Sequence, residues 1–105
     1  MAALRTVLHA LRARLTVEES AQLAAQLPML IRGIYFEGWD PSRVPAKAGR
    51  EEFLRRIREE LRYEVRGGVE SVVHTVIGAL RRYVTDDEWD DIRASMPKDL
   101  APILS

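Results

Sequence analysis

The 105-residue chain contains no cysteine, which removes disulfides, thiol nucleophiles and thiolate metal sites together. Histidine is nearly as scarce, with His9 and His74 the only two. They form no His-x-x-x-His or Glu-x-x-His pair, so a metal site lacks its usual framework and both histidines read as helix-surface or boundary residues. Only two lysines occur, Lys47 and Lys98, both in proline-flanked loops, so no lysine nucleophile sits in an apolar pocket. A basic excess is also missing. Sixteen Lys and Arg balance sixteen Asp and Glu, and the pI is about 6.7, which disfavours a nucleic-acid partner. Apolar runs are only a few residues long, so no membrane span is expected. Met1-Ala2-Ala3-Leu4-Arg5 has no basic segment followed by a hydrophobic one, so a cytoplasmic protein without a signal peptide is expected. No Gly-rich phosphate loop and no Ser/His/Asp arrangement appears. The expectation is therefore no enzyme, no catalytic residue, no cofactor and no metal.

What is present is the composition of a folded domain, 47% hydrophobic and 30% charged. Leu4, Val7, Leu8, Leu11 and Leu15 recur at steps of three and four, an apolar stripe on a helix of roughly residues 2–14, with Arg5, Arg12 and Arg14 falling away from it. Val69, Val72, Val73, Val76, Ile77, Leu80 and Val84 repeat the design over roughly 69–83. This second stripe is wider, which predicts the centre of the core there. Each helix runs into a Thr-x-x-Glu capping box, Thr16 to Glu19 and Thr85 to Glu88. Only the second copy adds a hydrophobic staple, Val84 with Trp89, so the second box is expected to be the better one. The capped helices end at Pro28 and Pro97, which predicts short third helices at about 28–36 and 98–104.

These parallels form an internal repeat with an offset of 69 residues. Thr6/Thr75, Leu11/Leu80, Thr16/Thr85, Glu19/Glu88, Pro28/Pro97 and Ile34/Ile103 are identical, among others. The matches fall on core, cap and helix-break positions, the mark of an architectural duplication that carries no chemistry. Before the second copy comes an extra helix at about 51–62, with Phe53, Leu54, Ile57 and Leu61 on one face and alternating Arg and Glu on the other. A Gly67-Gly68 turn should join it to the next helix. The fold expected is all-α: a small helical bundle of two similar halves related by a pseudo-twofold axis, with short third helices. Residues 1–40 form the first repeat, 41–50 a Pro/Gly linker, and 51–105 the extra helix plus second repeat, in one domain overall.

Three groups of residues invite a functional reading. Asp86, Asp87, Glu88, Asp90 and Asp91 lack the alternating ligands and central glycine of a calcium loop, and capping with solvation explains them. The arginines of 51–62 are interleaved with as many glutamates, the pattern of intrahelical ion pairs rather than a phosphate- or RNA-binding face. Tyr35, Phe36 and Trp39 are the sharpest feature. Either they pack back over the core and pin the linker, or they form an exposed aromatic patch that docks a partner.

The stretch Ala25-Gln26-Leu27-Pro28-Met29-Leu30-Ile31-Arg32-Gly33-Ile34-Tyr35-Phe36-Glu37-Gly38-Trp39, preceded by Leu11-Arg12 and Val17-Glu18-Glu19, resembles the bacterial family filed as domain of unknown function 2267. Arg50-Glu51-Glu52-Phe53-Leu54 and Met96-Pro97-x-x-Leu100 also match its pattern. The resemblance implies a small all-helical domain of two similar halves and no established catalytic residues. It also implies a Phe-Leu-type helix before each half, and this chain lacks the first. Leu4, Val7, Leu8 and Leu11 are therefore expected to lie without cover inside the chain and to pair with a second copy. The function expected is a non-enzymatic interaction module that forms a homo-oligomer or meets an unidentified protein partner, through Leu4, Val7, Leu8, Leu11, Tyr35, Phe36 and Trp39. The alternative is a regulatory domain that binds a small ligand or nucleic acid.

Overall fold

Leu4, Val7, Leu8 and Leu11 turn to one side of helix α1 (Ala2–Arg14), and Val7, Leu8 and Leu11 are completely buried. The computed structural model describes residues 2–45, 49–61 and 68–104; Met1, Lys47 and Gly67, named above, lie outside them, as does the last residue of the helix expected at 51–62. Helices α2 (Val17–Ala25) and α3 (Met29–Phe36) follow, then a single 3-10 turn at Pro41–Arg43. Helices α4 (Arg50–Glu60), α5 (Val69–Leu80) and α6 (Asp86–Ala94) complete the bundle, and a second 3-10 turn, Ala101–Leu104, closes it. No strand occurs among the described residues, and the protein is all-α.

The first stripe does not lack cover, which corrects the expectation drawn for Leu4, Val7, Leu8 and Leu11. Helix α4 lies across both α1 and α5 and packs more extensively on α1. Phe53, Leu54 and Ile57 of α4 are buried in this contact layer, and α3 and α5 enclose the rest of α1. Each large side chain so buried contributes roughly 1.5–3 kcal/mol. The centre of the core is consequently the α1–α5 pair rather than α5 alone. Helix α5 supplies Val73, Val76, Ile77 and Leu80 to it.

Both capped helices start where their threonines stand, but the boxes differ. Thr16 accepts from the Glu19 amide at 3.1 Å, and Glu19 Oε1 accepts from the Thr16 amide at 2.9 Å, so the first box is complete. Thr85 accepts from the Glu88 amide at 3.2 Å, but its own amide donates to Gln26 Oε1 at 2.8 Å. The second box is therefore the half-formed one, because a side chain at the end of α2 takes the donor that Glu88 would have served. Val84 and Trp89 are both buried.

The two third helices also differ. Helix α3 spans eight residues, whereas the corresponding segment is a turn from Pro97 followed by the 3-10 turn from Ala101. Pro102 has no amide hydrogen to donate, which favours the shorter form. The Trp89 indole fixes that segment by donating to the Leu104 carbonyl at 2.7 Å.

Candidate functional site

Helix α3 ends in an unusual way. A helix leaves its last carbonyls without intrahelical donors, and a glycine in the left-handed conformation commonly lets the following amides fold back onto them. Gly38 has that conformation, at φ 66°. Two amides fold back, Glu37 to the Ile34 carbonyl at 3.3 Å and Trp39 to the Phe36 carbonyl at 3.1 Å, and side chains of α1 serve the same end as well. The His9 ring donates from Nε2 to the Ile34 carbonyl at 2.8 Å. Arg12 Nη1 donates to the Tyr35 carbonyl at 2.7 Å and to the Glu37 carbonyl. Arg5 adds an exposed ion pair to the Glu37 carboxylate at 3.1 Å. Cationic side chains at a helix C-terminus also suit its dipole. Arg12 is buried, contrary to its expected place away from the stripe, because its guanidinium is the donor set that α3 needs. Burial and the nearby Arg56 both pull its pKa below the ordinary value, and burial does the same to His9.

The aromatic segment divides. Tyr35 is completely buried, and its phenol hydrogen-bonds the buried Ser20 hydroxyl at 2.8 Å. Burial raises the phenol to a pKa of about 12. Phe36 and Trp39 are half-buried, and the three rings form an edge-to-face chain with centroids 5.1 Å apart at each step. Of the seven expected contact residues, Val7, Leu8, Leu11 and Tyr35 thus lie inside the core, Leu4 and Phe36 pack at its edge, and Trp39 is half-buried beside Phe36.

The exposed apolar surface lies on the opposite side of α3. Met29 is 83% and Leu30 76% exposed, and one turn on Gly33 opens onto free space. Ile34 and Tyr35 turn the other face inward. Arg32, the single charged residue of α3, is folded back along α2: its Nε donates to the Ala24 carbonyl at 2.9 Å and its Nη2 to the Leu27 carbonyl at 3.1 Å. Sequence reasoning missed Met29 and Leu30. The i, i+3, i+4 spacing of Ile31, Ile34 and Tyr35 is the signal that sets them outside.

Elsewhere the charged groups are engaged locally. On α4, Arg55 pairs with Glu52 and, at 2.7 Å, with Glu59. A polar groove of about 650 Å³ beside it is lined by alternating Arg and Glu, including the Arg50–Glu70 pair at 2.9 Å. Asp90 pairs with Arg93. Glu88 lies near Asp91 and Glu19, and partial burial with these like charges raises its carboxyl pKa. His74 is exposed. Among the described residues no group of three or more His, Asp or Glu is placed to share a metal ion, and no helix is long and apolar enough to cross a membrane.

The fold and this surface define a small all-α domain whose most regular side-chain chemistry serves helix ends. The chain belongs to the family described as an uncharacterized conserved protein, DUF2267, whose model matches residues 1–103. No curated protein matches the sequence.

Proposed function

We propose that this protein is a non-enzymatic interaction module of the bacterial cytoplasm that self-associates through the outer face of α3. The observation that carries the reading is the adjacent exposure of Met29 and Leu30 beside Gly33, on a helix whose one charge is turned away. Single exposed apolar residues are ordinary, but two adjacent ones on an uncharged helix face make a patch that water disfavours. A second copy is the occupant proposed. Gly33 lets another backbone approach, and a twofold contact there would lay each Met29–Leu30 pair on its mate. The chain's zero net charge puts no long-range repulsion between copies. The internal repeat at an offset of 69 residues, read as a duplicated scaffold, supports a role in assembly over one in chemistry. A bacterial setting rests on the family resemblance.

An eight-residue helix offers a small interface, so the dimer should be weak, with Kd on the order of micromolar. Light scattering coupled to chromatography should give twice 12.0 kDa at high micromolar concentration. Replacing Met29 and Leu30 together with glutamate should yield monomer while leaving the dilute-solution melt unchanged, since both side chains are exposed. A wild type that stays monomeric, or a double variant that stays dimeric, ends this reading.

A further inference from the structure

A cavity of about 330 Å³ opens where α3 ends, between the last turn of α1, the Pro41–Arg43 turn and α4. Three arginines line it, Arg12, Arg43 and Arg56, against one carboxylate, Asp40. The local excess is two positive charges on a chain whose net charge is zero. Among the described residues Arg56 alone of the three has a carboxylate partner, and that contact is long. Among the described residues no carboxylate stands within 4.0 Å of Arg12 or Arg43, and the nearest to Arg56 is Glu60 at 3.9 Å. Asp40 is committed elsewhere, accepting from the Ser42 amide at 3.0 Å and from the Ser42 hydroxyl at 2.6 Å.

Two further features make the place more than a charged surface. Trp39 lines the same cavity, and among the described residues its buried indole N–H finds no hydrogen-bond partner. Such an orphan donor is a standing cost, and an acceptor relieves it. Gly38, on the cavity wall, has φ 66° and carries no side chain; a Cβ there would sit 4.0 Å from Arg12 Nη2. Arg12 spends Nη1 on the end of α3, so its position is fixed by the fold before any ligand arrives. An arginine held in this way is a pre-organised anion contact, and guanidinium forks suit phosphate oxygens in particular.

We infer that this cavity is a binding site for the phosphate group of a small molecule. A doubly charged oxyanion matches the two-charge excess, whereas a single carboxylate would leave half of it. The volume leaves room for a modest organic group beyond the phosphate, at the lower end of ordinary ligand sites. The depressed pKa of Arg12, caused by burial and by Arg56, agrees with two like charges waiting for a counter-charge. The inference does not depend on self-association, because the cavity lies at the C-terminal end of α3 and the Met29–Leu30 patch at its start.

The test is an amide and indole NMR titration of the full chain with inorganic phosphate, pyrophosphate, acetate and chloride at matched ionic strength. Phosphate and pyrophosphate should give saturable shifts, with the Trp39 indole N–H moving and the Trp89 indole N–H, bonded to Leu104, unmoved. Acetate should bind at least tenfold more weakly. Arg43→Ala should weaken pyrophosphate tenfold or more without changing the melt, since among the described residues the Arg43 side chain makes no ion pair. Arg58→Ala, on the outer side of α4, should bind as wild type does. Shifts that chloride reproduces, an affinity unaltered in Arg43→Ala, or movement of both indoles would overturn the site. So would binding of a single-stranded oligonucleotide in the absence of any phosphate or pyrophosphate response.

Discussion

His9 does two things at once: it ends a neighbouring helix, and it carries the one proton that can leave near neutrality along that contact. Its pKa falls below the unfolded value of 6.5, mainly because burial penalises the cation. Between the two values the unfolded chain binds more protons, so stability rises with pH in that interval. The contribution is complete above about 6.5 and is lost as pH falls toward the folded value. The hydrogen bond itself survives protonation, because Nε2 donates in both forms. Denaturant melts at pH 7 and pH 5 should therefore show a larger loss for wild type than for His9→Gln, which keeps a donor and cannot titrate. Equal losses would show that His9 is not the group responsible.

Tyr35 and Ser20 form the matching pair on the other side of α3, inside the core. Tyr35→Phe leaves the Ser20 hydroxyl buried without a partner and should cost about 1–3 kcal/mol. Adding Ser20→Ala should restore part of that, giving a coupling of about 1 kcal/mol in a double-mutant cycle. Additive losses would mean that the two hydroxyls do not communicate. Tyr35 should also ionise above the ordinary tyrosine value, at about pH 12, in an absorbance titration of the folded chain.

At the scale of elements, the complete capping box predicts which helix start matters more. Thr16→Ala should cost about 1 kcal/mol and no less than Thr85→Ala, measured by denaturant melts. A clearly larger loss from Thr85→Ala would return the advantage to the Val84–Trp89 staple. The comparison also shows what a sequence can and cannot state. Both threonines, both prolines and the apolar periods are local signals, and they locate α1, α2, α4, α5 and α6 to within a few residues. Gln26 taking the Thr85 amide is a contact across 59 positions, and nothing local announces it. Arg12 is the same case. Hydropathy places an arginine outside, and only the unmet carbonyls of another helix bring it in. Likewise an apolar stripe states that a face is buried, but not which helix buries it, so α4 could be assigned to α5 when it also roofs α1.

At the scale of the molecule, that roof decides how the first stripe responds to substitution. Leu8 is completely buried, so Leu8→Ala should cost about 2–5 kcal/mol in a denaturant melt. Leu8→Glu should abolish folding, read as loss of the far-ultraviolet helix signal, instead of releasing a folded monomer. A folded, monomeric Leu8→Glu protein would mean that α4 does not cover α1 in solution. The bundle measures 32 × 29 × 27 Å, and its helices are eight to thirteen residues long. Isolated helices of that length are marginal in water, so packing rather than propensity holds each of them.

The donors that close α3 come from residues 23 to 25 positions earlier in the chain. The Glu37 and Trp39 amides also close its last turn, but a helix of eight residues is marginal on its own. Stable α3 is therefore expected only once it docks on α1. An undocked chain would keep Pro28 and the Phe36–Trp39 turn as local start and stop, but the Ile34, Tyr35 and Glu37 carbonyls would lose their side-chain donors to water.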